Sequence, residues 1–159
     1  MFVCQNNLYA EMTPTADTMK LERVADRAAG YGMPGIRVDG NDPLAVADAL
    51  ADAIGKARNG NGPTFLECVT FRFRGHYFGD RMPYIPHEQL EAAIAADPIP
   101  AFRRRLVDGG VASDDELSRI EEGALAAVEE ALRTVLAAPP PTPDELDTDV
   151  YARPIKHPV

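Results

Sequence analysis

Gly62-Pro63-Thr64-Phe65-Leu66-Glu67-Cys68-Val69-Thr70-Phe71-Arg72-Phe73-Arg74-Gly75-His76 is the stretch on which the fold turns. Gly-Pro punctuates its start. Aromatic and β-branched residues fill Thr64 to Phe73, which predicts a strand across that run. Upstream, Gly35-Ile36-Arg37-Val38-Asp39-Gly40 reads as a shorter strand closed by a turn. Between the two, Asp42-Pro43 opens a helix, with a capping side chain followed by proline at the first helical position. Val46, Ala47, Leu50, Ile54 and Ala57 mark its apolar face, and Gly60, Gly62 and Pro63 end it. Further upstream, Leu21, Val24, Ala25 and Ala28 fall at helical spacing before Gly30 and Gly32, and Met1-Phe2-Val3-Cys4 reads as the end of a buried strand. Strand, helix, strand, helix, strand is the order of parallel βα units, so the fold class is α/β. Ligands in such sheets bind beyond the carboxyl ends of the strands. Two segments stand there: Asn6-Asn7-Leu8-Tyr9 and Gly75-His76-Tyr77-Phe78-Gly79-Asp80.

The whole chain has 159 residues, 45% hydrophobic and 26% charged, an ordinary globular balance with length enough for a substantial core. Asp and Glu number 25 against 16 Lys and Arg, a net charge of −9, which disfavours nucleic acid and anionic membranes as partners. No run approaches the ~18 apolar residues of a membrane span, and no basic region with an apolar core opens the chain. Cys4 and Cys68 sit in apolar runs and read as buried free thiols of a reducing compartment, hence a soluble cytoplasmic protein.

Beyond Pro86 the pattern turns helical, over 87–95, 98–107 and 113 to about 136, the last opened by a Ser113–Glu116 capping box. Seven acids against Arg119 and Arg133 give that helix a solvated face; Leu117, Ile120, Leu125, Val128, Leu132 and Val135 are expected to pack inward. From Pro139 the chain holds six of its fourteen prolines and reads as an extended arm. The divisions expected are an α/β part over 1–85, a helical region over 86–138 and a tail over 139–159.

Two clusters can carry chemistry. An Asn side-chain oxygen and a backbone carbonyl two residues on, as at Asn7 and Tyr9, offer hard oxygens to a cation such as magnesium. The competing reading is an Asn-Asn that ends a strand and starts a turn. In the second cluster, Arg72 and Arg74 fall on one side of a period-two strand and His76 follows, so donors gather near one strand end between permissive glycines. That outlines a phosphate-sized anion site, against an ion-paired edge strand with a structural His. His87 and His157 are isolated in proline-flanked contexts and read as idle and exposed.

These residues, in this order, resemble the alpha subunit of the thiamine-diphosphate-dependent first component of 2-oxo acid and acetoin dehydrogenase complexes. The matching stretches are residues 2–10, 27–42 and 62–76, with Asp97-Pro98-Ile99 and the 144–152 segment. The resemblance implies the C-terminal half of a thiamine-diphosphate-binding fold. It implies that Asn7 ligates magnesium through its side chain and Tyr9 through its carbonyl. It places His76 and Arg72 on the cofactor diphosphate. It further implies a beta subunit that supplies the activating Glu, and a lipoamide-bearing acyltransferase that receives the acyl group from a 2-oxo acid or acetoin.

Three departures qualify the likeness. The family's Gly-Asp-Gly, whose Asp is a further magnesium ligand, belongs roughly 25–30 residues before Asn7, ahead of Met1. Tyr77 stands where pyruvate and branched-chain members carry Ser, which favours the acetoin type. Ile85 follows Tyr84 where an Arg is usual. The first departure motivates an alternative expectation, a non-catalytic remnant or assembly module.

Overall fold

The computed structural model describes residues 1–146, 148 and 152. The chain divides into two compact units, 1–112 and 113–159.

In the first unit, β1 (Phe2–Asn6), β4 (Gly35–Asp39) and β5 (Phe65–Val69) form a parallel sheet in the order β1-β5-β4. β5 is central because it is the most apolar run; successive residues point to opposite faces, and Leu66, Glu67 and Cys68 are all buried. The register sets Asn6, Val69 and Asp39 level, so all three strands end together. The expected strand over Thr64–Phe73 is thereby cut short. Thr70 N–H still donates to the Asn6 carbonyl, 2.9 Å, but neither neighbour continues beyond that point. Arg72 and Arg74 therefore lie beyond the strand, and the shared strand face expected for them does not exist.

The segment before β4 is a 3₁₀ helix over Val24–Tyr31, ended by Gly32 at φ 67°; the helix expected from Leu21 starts later. It packs on β4 and β5 through buried Ala25 and Ala28. α2 (Pro43–Arg58) begins as expected: Asp42 accepts from the Leu44 and Ala45 N–H groups. Its covered stripe runs through Val46, Leu50, Ala53 and Ile54; Ala47 and Ala57 face outward, because Ala53 lies closer to the centre of the buried arc. Two elements escaped the sequence pattern. A small hairpin, β2 (Tyr9–Ala10) with β3 (Thr13–Pro14), leads into a one-turn helix α1 (Thr15–Thr18). α3 (His87–Ala95) and α4 (Pro98–Asp108) follow, the latter capped by Asp97. The expected large core is modest. Among the described residues the buried apolar set is Tyr9, Ala25, Ala28, Ala53, Leu66, Cys68 and Ile85, while Phe2 and Val3 on the edge strand are half exposed.

In the second unit, α5 (Asp114–Ala137) carries the expected capping box of Ser113 and Glu116. Apart from half-buried Leu117, its apolar set does not pack inward. Ile120, Leu125, Val128, Leu132 and Val135 are each more than half exposed. Periodicity shows which side chains share a helix face, and it cannot say that anything covers them. After Ala138 the tail is not wholly extended, since Pro143–Glu145 make a 3₁₀ turn capped by Thr142. The rest of the expected arm, including His157 and most of the 144–152 match beyond Leu146, lies outside the described residues.

Candidate functional site

Both candidate segments emerge from the carboxyl ends of neighbouring strands, β1 and β5. Asn6 is the last residue of β1 and is buried. Its Nδ2 donates to Glu67 Oε1 at 2.7 Å, and its Oδ1 accepts from the Leu8 N–H at 3.0 Å. Asn7 repeats the turn one residue on, its Oδ1 accepting from the Tyr9 N–H at 3.1 Å. Leu8 is held at φ 70°, a conformation uncommon for leucine. Its carbonyl is taken by both the backbone N–H and the hydroxyl of Thr15. The Tyr9 carbonyl is placed differently: the Thr15 N–H bonds the Leu8 carbonyl, which makes Tyr9 and Pro14 the non-hydrogen-bonded pair of the hairpin and turns the Tyr9 carbonyl away from the partner strand.

The Tyr9 ring knits the two segments together. It meets Phe71 edge-on with centroids 6.1 Å apart and Tyr84 at 5.7 Å, and its hydroxyl donates to Gln89 Oε1 at 2.8 Å. Arg72 reaches back across the same gap. Its Nη2 donates to the Glu11 carbonyl at 2.6 Å and to the Tyr84 hydroxyl at 3.2 Å. Its Nε is buried with no hydrogen-bond partner. Tyr84 in turn donates to Asp80 Oδ2 at 2.6 Å, the same oxygen that accepts from the His76 N–H at 2.9 Å, while Asp80 Oδ1 accepts from the Met82 N–H at 2.8 Å. Gly75 lies so close to this carboxylate that a Cβ there would meet the Asp80 Cβ at 2.6 Å. The His76 imidazole itself is exposed. It borders an open concavity of ≈ 580 Å³ with Phe73, Arg74, Tyr77 and Phe78.

The bond from Tyr84, with those from the Met82 and His76 amides, holds the Asp80 carboxyl below its ordinary range. The same bond pushes the Tyr84 phenol up. A carboxyl whose folded value is depressed contributes stability above its unfolded value of about 3.9, and that contribution is lost as pH falls through the lower folded value. Order in the 75–84 loop should therefore persist at pH 5 and fail in stronger acid. Hydrogen exchange at the His76 and Met82 amides between pH 5 and pH 2 checks this, and D80N should show no such step. On the sheet, burial raises the Cys4 thiol, helped by the Glu67 carboxylate, and burial alone raises Cys68; both cysteines are free.

Of the expected site residues, the structure ties Tyr9 to Arg72 through Tyr84 and joins His76 to that network by its backbone. Asn7 is bonded to the Tyr9 N–H. Arg74 is exposed and outside the network. The expected idle His87 pairs its Nδ1 with Glu91 at 3.2 Å on the surface of α3. Sequence pattern alone sets Asn6 and Asp80 inside the two candidate segments without a task for either, and it does not point to Glu67 or Tyr84. A lone Glu inside the most apolar strand was the one available signal, since a buried carboxylate demands partners.

Magnesium and a diphosphate suit what is present. Asn7 Oδ1 keeps a lone pair beyond its turn bond, the hairpin makes no claim on the Tyr9 carbonyl, and Arg72 Nε is an orphaned donor. Among the described residues no group of three or more His, Cys, Asp or Glu is arranged to hold a metal ion. An ion here would complete its shell with phosphate oxygens and water, as magnesium commonly does.

A family model described as the dehydrogenase E1 component matches residues 1–144, which hold both segments. The chain belongs to the dehydrogenase E1 component family. It is 41% identical over 152 residues to the alpha subunit of the acetoin:2,6-dichlorophenolindophenol oxidoreductase of Cupriavidus necator, covering 95% of this chain and 46% of that protein. It is 36% identical over 154 residues to the 2-oxoisovalerate dehydrogenase alpha subunit of Bacillus subtilis, covering 96% and 47%. To the pyruvate dehydrogenase E1 alpha subunit of Porphyra purpurea it is 34% identical over 152 residues, covering 96% and 44%. The chain of this E1 family member thus spans about half the length of the curated relatives it matches. No helix among the described residues is long and apolar enough to cross a membrane.

Proposed function

We propose that this E1-family chain forms the magnesium- and diphosphate-binding part of a thiamine-diphosphate-dependent first component acting on a 2-oxo acid or acetoin. The observation that carries the reading is the convergence of the Asn6–Tyr9 turn and the Arg72–Asp80 loop at adjacent strand ends, inside the stretch that matches the family. Bound thiamine diphosphate supplies the nucleophile and the electron sink for breaking the bond beside a carbonyl. The residues here bind and orient. Asn7 Oδ1 and the Tyr9 carbonyl hold magnesium, and Arg72 and His76 hold the diphosphate. Asp80 and Tyr84 fix the loop that presents His76. The activating Glu comes from a beta subunit, and a lipoamide-bearing acyltransferase takes the acyl group. The acetoin side is favoured by Tyr77 after His76.

Calorimetric titration of thiamine diphosphate with magnesium into the wild-type chain and H76A tests this. Losing a charge-assisted hydrogen bond costs about 1.5–3 kcal/mol, so H76A should bind tenfold or more weakly. Equal affinity in the two proteins would sink the assignment of His76.

A further inference from the structure

Glu67 is fully buried and is offered to neither the metal nor the diphosphate. Its carboxylate faces donors from three elements. Oε1 accepts from Asn6 Nδ2 at 2.7 Å, Oε2 accepts from the Ala25 N–H of the 3₁₀ helix at 2.8 Å, and Arg37 Nε of β4 stands 3.7 Å from Oε1. A glutamine would be cheaper to bury, but it offers one acceptor oxygen where two donors must be met.

The consequence runs through Asn6. With Nδ2 fixed on Glu67, the Asn6 amide has a single orientation. Turning it over would set its oxygen against a carboxylate oxygen and its NH₂ against the Leu8 N–H. Oδ1 is thus directed onto the Leu8 N–H, in the turn that carries Leu8 at φ 70°. Leucine takes that conformation when its surroundings impose it. Asn7 and Tyr9 flank Leu8, so the turn sets the spacing of Asn7 Oδ1 and the Tyr9 carbonyl. We infer that Glu67 is a positioning residue: through the Asn6 amide it fixes the turn that spaces the two oxygens offered to the metal. The purpose of this positioning rests on the magnesium reading above; the positioning itself rests on the hydrogen bonds.

Three variants of the full chain test it: E67Q, N6D and the exchange N6D/E67Q, each compared at a temperature where circular dichroism shows it folded. One readout is hydrogen exchange at the Leu8 amide. The other is affinity for Mn²⁺ with thiamine diphosphate, by electron paramagnetic resonance. E67Q leaves one amide facing two donors, and N6D sets two carboxylates together. Each should speed Leu8 exchange and weaken Mn²⁺ binding about tenfold or more. The exchange variant restores the bond between positions 6 and 67 with its direction reversed, the amide at 67 donating to the carboxylate at 6 while still accepting from Ala25; only the longer Arg37 contact is lost. Both readouts should return to within a few-fold of wild type. Unchanged Leu8 exchange in E67Q overturns the inference. So does an exchange variant as poor as the singles, which would make Glu67 a staple of the 3₁₀ helix only. If N6D binds Mn²⁺ best, local charge rather than position controls the site, and the inference also fails. If exchange follows the prediction but the wild-type chain binds no Mn²⁺, the positioning of the turn stands and the magnesium reading falls.

Discussion

Replacing Gly35 with alanine should destabilise the first unit by roughly 3 kcal/mol or more, at the upper end of what overpacking costs. A Cβ at Gly35 would lie 2.0 Å from the Ala25 carbonyl oxygen and 2.7 Å from its carbon. Those are backbone atoms, so no rotamer change relieves the clash. Either β4 or the 3₁₀ helix has to move. Moving the helix draws the Ala25 N–H away from Glu67 Oε2, and a buried carboxylate then loses a donor. The damage should therefore reach past packing to the Asn6 turn. Urea denaturation of G35A against wild type measures the first effect, and hydrogen exchange at the Leu8 amide measures the second. A loss below about 1 kcal/mol would show that β4 shifts freely against the helix.

The second large effect is expected at Arg72. Its Nη2 holds the Glu11 carbonyl and the Tyr84 hydroxyl, and so fastens the hairpin after β1 to the loop after β5. Hydrogen bonds to a charged group contribute about 1.5–3 kcal/mol each, and partial exposure places these toward the lower figure. R72A removes both and should cost about 3 kcal/mol and weaken magnesium-dependent thiamine diphosphate binding at least tenfold. R72K keeps the charge but loses the planar fork and the orphaned Nε donor. It should recover part of the affinity and little of the loop order. Calorimetry reads the affinity, and exchange at the His76 and Met82 amides reads the loop. If R72K matches wild type in both, a point charge is enough and the fork has no special part.

Much of the scaffold is legible in the residues. Asp42-Pro43, Asp97-Pro98 and the Ser113–Glu116 pair start helices because each satisfies backbone N–H groups locally, with no help from distant residues. Gly32 ends the 3₁₀ helix for an equally local reason, its positive φ. The two site segments are legible too, because the donors and oxygen ligands they carry lie in short stretches of sequence. The exposed stripe on α5 marks the opposite case: its period is local, but burial is not, and a period carries no word of it.

The residues alone establish the α/β class and the starts of α2, α4 and α5, and they single out Asn7, Tyr9, Arg72 and His76 as the residues to watch. Tertiary structure alone sets where β5 stops. That depends on β1 and β4 ending level with Val69, and no propensity within Thr64–Phe73 encodes a neighbour's length. Only it revealed that Arg72 clasps the Glu11 carbonyl, 61 residues away in the chain. Only it joined Glu67 to Asn6 and Ala25, because a buried carboxylate needs donors but does not say which distant segments will bring them.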